Sequence, residues 1–337
     1  MKRIHISEAD IGDTLGLHIY GPTGKVLLAR GTRLTGPYIS SLRKKGVEYI
    51  YIESSITHGI RPRPLISPTV RQQAVQKVYE TMTSLLDKKA LLQTSSSQDL
   101  GKYQQVFKEI LDHLLANDNI MVNLSDLVIA QGYFFHHSVN VATLAGVIGI
   151  SRGYNSEQLL DLGVGALLFD IGMTQVSSGL WEKKGFITEE ERNLMHSHTV
   201  LGFELLWKQR NISLLSAHCA LQHHERYDGS GYPRQLKGGN IHEYARIVAI
   251  ADVYDALTSS RNYRKRHSAQ EAAEFLSAAG NILFDYSIIK DFLAYIAIFP
   301  VSSRVILNTG YEAGVAKIHS DLPLRPVLRV IKDPNWN

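Results

Sequence analysis

The sequence predicts a mainly α-helical protein, a helical bundle carrying a small N-terminal β-rich module and a short C-terminal β element. Three observations predict it. From about Thr69 to Phe299, apolar residues recur at three- and four-residue spacings, the period of a helix with one buried face. Residues 1 to about 55 instead alternate short apolar runs with Gly and Pro turns. The end of the chain, "VSSRVILNTGYEAGVAKIHSDLPLRPVLRVIKD", returns to that second texture.

Four segments follow in order: a β-rich module at 1–56, a linker and helical connector at 57–130, a helical domain at 131–300, and a β element at 301–337. In the first, "GVEYIYIES" alternates like a strand and "GPYISSLRKKG" predicts one helix. "THGIRPRPLISP", with three prolines, predicts the linker. Val75, Val78, Met82 and Leu85 mark one amphipathic helix, and "YQQVFKEILDHLLAN" a second. Further helices are expected at Phe134–Ile150, Ser156–Phe169, Glu189–Gln209, Ser213–His224, Ile247–Thr258 and Ala269–Ala279.

Composition removes several function classes. With 337 residues and 44% hydrophobic content the chain can bury a large core. A net charge of +4, from 36 basic and 32 acidic residues, is too small to argue for a nucleic-acid polymer as partner. The single cysteine, Cys219, excludes an internal disulfide and a Cys-x-x-Cys metal knuckle. "MKRIHISEADIG" lacks the apolar core of a signal peptide. The longest apolar run, Val139–Ile150, is too short for a membrane span and carries Asn140 and Thr143. A cytoplasmic protein without a membrane span is expected.

The informative residues are polar ones on apolar faces. Asp170 shares a predicted helical face with Leu159, Leu162 and Ala166, and no basic residue lies within a turn of it. A buried carboxylate without a partner is costly, so alone it would be read as an exposed helix end. It is not alone. His137 aligns with Asn140 and Leu144, His198 with Gly202 and Leu205, and Asp252 with Val248 and Asp255, while His223 and His224 end an apolar run. Singly, each is more often a satisfied core or cap residue. Several imidazoles and two carboxylates on the inner faces of separate helices form instead the ligand set of Zn, Mn or Fe, as helical bundles build it.

Two further stretches extend the pattern. "HHERYDGSGYP" runs from the paired histidines into a Gly-rich turn and Tyr232-Pro233. Ordinary loop chemistry explains DGSG alone; beside paired histidines, such a loop suits a purine ring and a phosphate. "DVYDALTSSRNYRKR" places Arg261 and Arg264 after Asp252. A solvated basic run is the ordinary reading, and arginines near a metal also grip phosphate.

"HHSVNVA", "FDIG", "HTVLG", "HHERYDGSGYP" and "DVYDALTSSRNYR" occur in the order found in the HD-GYP family, bacterial metal-dependent phosphodiesterases that open cyclic di-GMP, and the chain resembles that family from about Gly132 to Pro300. The resemblance implies an HD-superfamily helical bundle and one or two divalent ions, Fe or Mn foremost. It assigns His137, Asp170 and Asp252 to a first metal position, and His198, His223 and His224, with Asp170 bridging, to a second. Asp170 and His224 would then serve the chemistry. Tyr232, with Gly231 in its loop, would pack against guanine, and Arg261 and Arg264 would hold phosphate.

The departures are specific. The family's His-Asp-Ile-Gly-Lys is here Phe169-Asp170-Ile171-Gly172-Met173, so the first metal position loses an imidazole and gains a phenyl ring, and a lysine is lost. Tyr133 stands where three-metal members carry a glutamate, and Thr199 where proline is usual. His136 and His196 are the nearby histidines that would have to replace the missing ligand. The expectation is a weakened cyclic di-GMP phosphodiesterase. Its rival is a catalytically inactive module that binds cyclic di-GMP or a protein partner and passes a signal. Nothing identifies what the N-terminal module senses, and the helix from Arg71 could pair two subunits as a homodimer or serve as a core helix.

Overall fold

The computed structural model describes residues 1–47, 49–54, 59–60, 64–86, 102–116, 128–129, 133–176, 180, 183, 185–259, 267–319 and 322–333. Among the described residues, three small sheets accompany a bundle of helices. In the N-terminal module β1 (Lys2–His5) pairs antiparallel with β4 (Tyr49–Ile52), and β2 (Ile19–Tyr20) with β3 (Val26–Leu28). Helix α1 (Gly36–Lys44) starts where Thr35 caps the Tyr38 N–H and Pro37 presets the first turn. Leu15, Ile19, Leu34, Leu42 and Ile50 close a small core of their own.

The module does not stand apart. β2 also pairs, in parallel, with β5 (Val128–Ile129), the strand just ahead of helix α4 (Tyr133–Ser151). A parallel pairing across more than a hundred residues leaves no local sequence signal.

The segment expected as linker and connector contributes two core helices, α2 (Pro68–Leu86) and α3 (Lys102–Leu115). Val75, Val78 and Met82 of α2 and Phe107, Ile110 and Leu114 of α3 are buried in the same core as α4. That burial makes α2 a core helix. α4 is long and apolar enough to cross a membrane by length and composition, yet 78% of its apolar window is buried within the protein. Against it pack α5 (Ser156–Leu168) and α9 (Glu243–Thr258), and α8 (Leu214–Gln222) packs against both of these. α10 (Ala269–Ala278) packs on α9, and α11 (Tyr286–Leu293) packs on α4 and α10. Side-chain caps set the starts: Asn155 and Gln158 form a reciprocal capping box for α5, Ser268 and Glu271 one for α10, and Ser213 caps α8.

Two boundaries differ from the sequence reading where the site is built. The helix expected to carry Asp170 ends at Leu168, and Asp170 opens a 3-10 turn, Ile171–Gln175. The helix expected over Glu189–Gln209 is two, α6 (Glu189–His196) and α7 (His198–Trp207). At the break the Ser197 hydroxyl donates to the Leu194 carbonyl and the Thr199 hydroxyl to the His196 carbonyl, competing with the helical ladder. α11, with Ile288, Ile289 and Phe292 buried, was not anticipated. At the end of the chain β6 (Arg304–Ile306), β7 (Glu312–His319) and β8 (Leu322–Lys332) form an antiparallel sheet.

Candidate metal centre

Four side chains from three places in the chain converge. Asp170 comes from the 3-10 turn, His198 from the start of α7, and His223 and His224 from the end of α8. One ligand atom from each lies within 4.8 Å of all the others. His198 Nε2 is 3.4 Å and His223 Nε2 3.6 Å from Asp170 Oδ1, and the two Nε2 atoms are 3.3 Å apart.

The backbone explains how Asp170 gets there. A Cβ on Gly172 would stand 1.9 Å from the His198 carbonyl oxygen and 2.5 Å from the Gly202 amide. Only glycine lets the 3-10 turn lie directly on the backbone of α7, which carries the carboxylate to His198. The glycines of "FDIG" and "HTVLG" are therefore two sides of one contact.

The outer ring nitrogens are already committed. His198 Nδ1 donates to the Met195 carbonyl at 2.6 Å, and His223 Nδ1 points at the Cys219 and Ala220 carbonyls, both at 3.0 Å. Such bonds fix the tautomer and leave Nε2 as a lone-pair donor. Burial lowers the pKa of His198 and takes that of His224 well below the usual value, so both rings are neutral at neutral pH. Burial alone would raise the Asp170 pKa, but the neighbouring His223, His198 and His137 bring it below the ordinary value. One carboxylate and three imidazoles, His198 and His223 oriented by their second nitrogens, fit a divalent metal ion.

The other two expected ligands are engaged elsewhere. His137 on α4 lies between two carboxylates of α9, with Nδ1 donating to Asp255 at 2.6 Å and Nε2 to Asp252 at 2.9 Å. Asp255 is fully buried and also accepts from Asn140 Nδ2 at 2.8 Å and the Ser259 hydroxyl at 3.0 Å, while Arg71 Nη1 donates to Asn140 at 2.6 Å. Burial disfavours a charged His137, but the bonds to Asp252 and Asp255 prevail and raise its pKa to about 10. A protonated imidazole has no lone pair for a metal.

Phe169 fills the remaining space. It is 1% exposed, and its ring packs edge-on to His137 at 5.6 Å and to His223 at 5.0 Å between centroids. Neither nearby histidine replaces the missing ligand. His136 is buried, donates through Nε2 to the Gly21 carbonyl of the N-terminal module at 2.8 Å, and has its pKa lowered to about 4 by that burial. His196 stacks on Tyr232. Among the described residues the structure thus assembles one metal-type cluster, and His137 and Asp252 are not in it.

The His137 triad sets a pH dependence. Its folded pKa exceeds the ordinary 6.5, so the stability it gives is complete below about 6.5 and declines as pH rises toward 10. The limiting slope is about 1.4 kcal/mol per pH unit. For the metal-free protein, the urea midpoint should fall between about pH 7 and about pH 9, and fall less in Asp252→Asn. A midpoint independent of pH in that window contradicts the triad.

The Gly-Tyr-Pro loop is fastened to the same place. Glu225, 2% exposed, accepts the Arg234 and Leu236 amides at 2.8 and 2.9 Å, and the Tyr232 amide donates to the His224 carbonyl at 3.2 Å. A Cβ on Gly231 would meet the Arg226 amide at 2.3 Å, so the loop closes on its own start only with glycine there. Asp255, Glu225 and Asn140 went unassigned in the sequence; the three-residue spacing from Asp252 was the one signal for Asp255. Arg261 and Arg264 lie outside the described residues.

Comparison with known proteins identifies the family. The HD domain family pattern matches residues 115–288, just over half of the chain. A cyclic di-GMP phosphodiesterase of Pseudomonas aeruginosa is 32% identical over 232 residues, covering 69% of this chain and 56% of its own length. One from Thermotoga maritima is 30% identical over 253 residues, covering 74% and 63%. Among solved structures, an HDG"Y"P protein of Bdellovibrio bacteriovorus, 18% identical, covers 86% of this chain and 97% of its own with a TM-score of 0.48. The chain spans less than two thirds of the length of these two curated relatives. By the extent of the family match, and with the metal-type cluster at its centre, the chain belongs to the HD domain family.

Proposed function

We propose that the chain is a slow, metal-dependent phosphodiesterase of cyclic di-GMP, yielding pGpG or GMP, that works with one divalent ion in place of two. The observation that carries this reading is the convergence of Asp170, His198, His223 and His224 beside a His137 position closed by Phe169 and the two aspartates. The names of the relatives supply the substrate class.

Asp170, His198, His223 and His224 would hold the ion, Fe(II) or Mn(II) by donor type. Bound there, a divalent ion supplies Lewis acidity that stabilises negative charge on a phosphoryl group. The residues of the chain do the remainder. Nδ1 bonds to Met195, Cys219 and Ala220 hold the imidazoles in register. The protonated His137, compensated by Asp252 and Asp255, adds a fixed cation near Asp170, whose ionised form it favours. Met173 offers no cation in place of the family's lysine, and Phe169 excludes a second ion, so turnover is slow.

The reading also takes the chain as cytoplasmic, the N-terminal module as its regulatory input, and a second copy or a signalling protein as partner. Arg261 and Arg264 are proposed for phosphate contact.

The test is anaerobic incubation of the purified protein with cyclic di-GMP and Fe(II) or Mn(II), with products followed by chromatography. Slow formation of pGpG or GMP that disappears in His224→Ala is expected. Binding of cyclic di-GMP without turnover would make the chain a receptor on an enzyme's fold.

A further inference from the structure

Tyr232 has no open face. Its ring stacks on His196 with centroids 3.7 Å apart and planes 11° from parallel, and on His224 at 4.8 Å and 27°. Two rings stacked on one side of a tyrosine would touch each other. Among the described residues the ring partners of His224 are His198, His223 and Tyr232, and His196 is not one of them. The tyrosine therefore lies between the two imidazoles.

The result is a column of three rings. Its inner end is His224, a member of the metal-type cluster, and its outer end is His196, which is partly exposed at the end of α6. The column is braced from behind: Glu225 and the Tyr232 amide fasten the loop, so Tyr232 cannot turn away independently of it. Arg192, exposed, sits four residues before His196 on α6 and so lies on the same helical face. A planar ring with an accessible face and an arginine beside it is the arrangement that holds a nucleotide: the base stacks, and the guanidinium meets a phosphate oxygen.

We infer that His196, and not Tyr232, presents the ring on which a purine base of the substrate stacks, with Arg192 facing the accompanying phosphate. His196 is then a binding residue that sets preference for a nucleotide over a plain phosphodiester, while Tyr232 acts as the spacer that holds His196 at a fixed distance from the metal ligands. The inference rests on the proposed function, because it requires a nucleotide substrate. It assigns His196 no part in holding metal, in keeping with its place outside the cluster.

The experiment is equilibrium dialysis of cyclic di-GMP against the manganese-loaded full chain, for the wild type, His196→Ala and His196→Phe, with metal content measured in each. Stacking on an aromatic side chain predicts that His196→Ala weakens binding by on the order of tenfold or more, that His196→Phe restores it, and that metal content is equal in all three. If the base stacks directly on Tyr232 and His196 merely covers it, His196→Ala binds as tightly as the wild type or more tightly, and the inference is overturned. Loss of metal from His196→Ala overturns it as well, since the effect would then pass through the ligands. A wild-type chain that binds no cyclic di-GMP defeats the proposed function and this inference together; a wild-type chain that binds, with an unchanged alanine variant, defeats the inference alone.

Discussion

His223→Ala is expected to reduce bound metal to below about a tenth of the wild-type content and to lower the proposed phosphodiesterase turnover at least about 100-fold. Outer hydrogen-bond partners of metal ligands are worth about 10–100-fold in affinity or activity, and removal of a ligand itself should cost no less. His223 is fully buried, its Nδ1 is held by two carbonyls, and its Nε2 sits among the donors of Asp170 and His198. The comparison is His218→Ala, five residues earlier on α8 and outside the cluster, which should keep its metal. Metal content of the two purified variants by elemental analysis checks the point. Equal metal in both would remove His223 from the site.

Gly172→Ala is expected to be nearly as damaging, although glycine binds nothing. The added methyl group would overlap the His198 carbonyl, so either the 3-10 turn moves off α7 or α7 shifts. Overpacking of this kind costs about 1–3 kcal/mol, and more when the opposing atom is backbone that cannot turn aside. Either adjustment withdraws Asp170 from His198 Nε2, now 3.4 Å away. Thermal unfolding of the metal-free protein should show a lower midpoint, and manganese should give a smaller stabilising shift than in the wild type. Gly172→Ala with wild-type midpoint and wild-type metal response would show that the turn has room the structure does not give it.

The two variants show what was legible in the sequence. Ligand types are written in the residues themselves: a carboxylate and imidazoles at apolar-face positions announced a metal, and Asp170, His198, His223 and His224 are found together. The contact between Gly172 and Gly202 joins elements about thirty residues apart, and nothing local in "FDIG" or "HTVLG" says that they meet. Asp255 was visible as a neighbour of Asp252, yet its role depends on α4 and α9 lying side by side, which places His137 between the two aspartates. The break between α6 and α7 lacked a glycine or proline to mark it, because Thr199 stands at the place where proline is usual. The helix α11 was missed for a different reason: eight residues give too few turns for a period to show.

Phe169 was legible as a loss but not as a replacement. The sequence shows a phenyl ring where a ligand is expected. The structure shows that ring packed between His137 and His223, with His137 turned into half of a charge pair. One position has become core while its neighbour keeps the donors of a metal site.

Counting ions tests that division most directly. The purified chain, loaded anaerobically with excess Fe(II) or Mn(II) and freed of loosely held metal by gel filtration, should carry about one ion per chain by elemental analysis, in line with the one donor cluster among the described residues. About two tightly held ions per chain would mean that His137 and Asp252 leave their present partners to bind metal beside Phe169, and the one-metal account would fall.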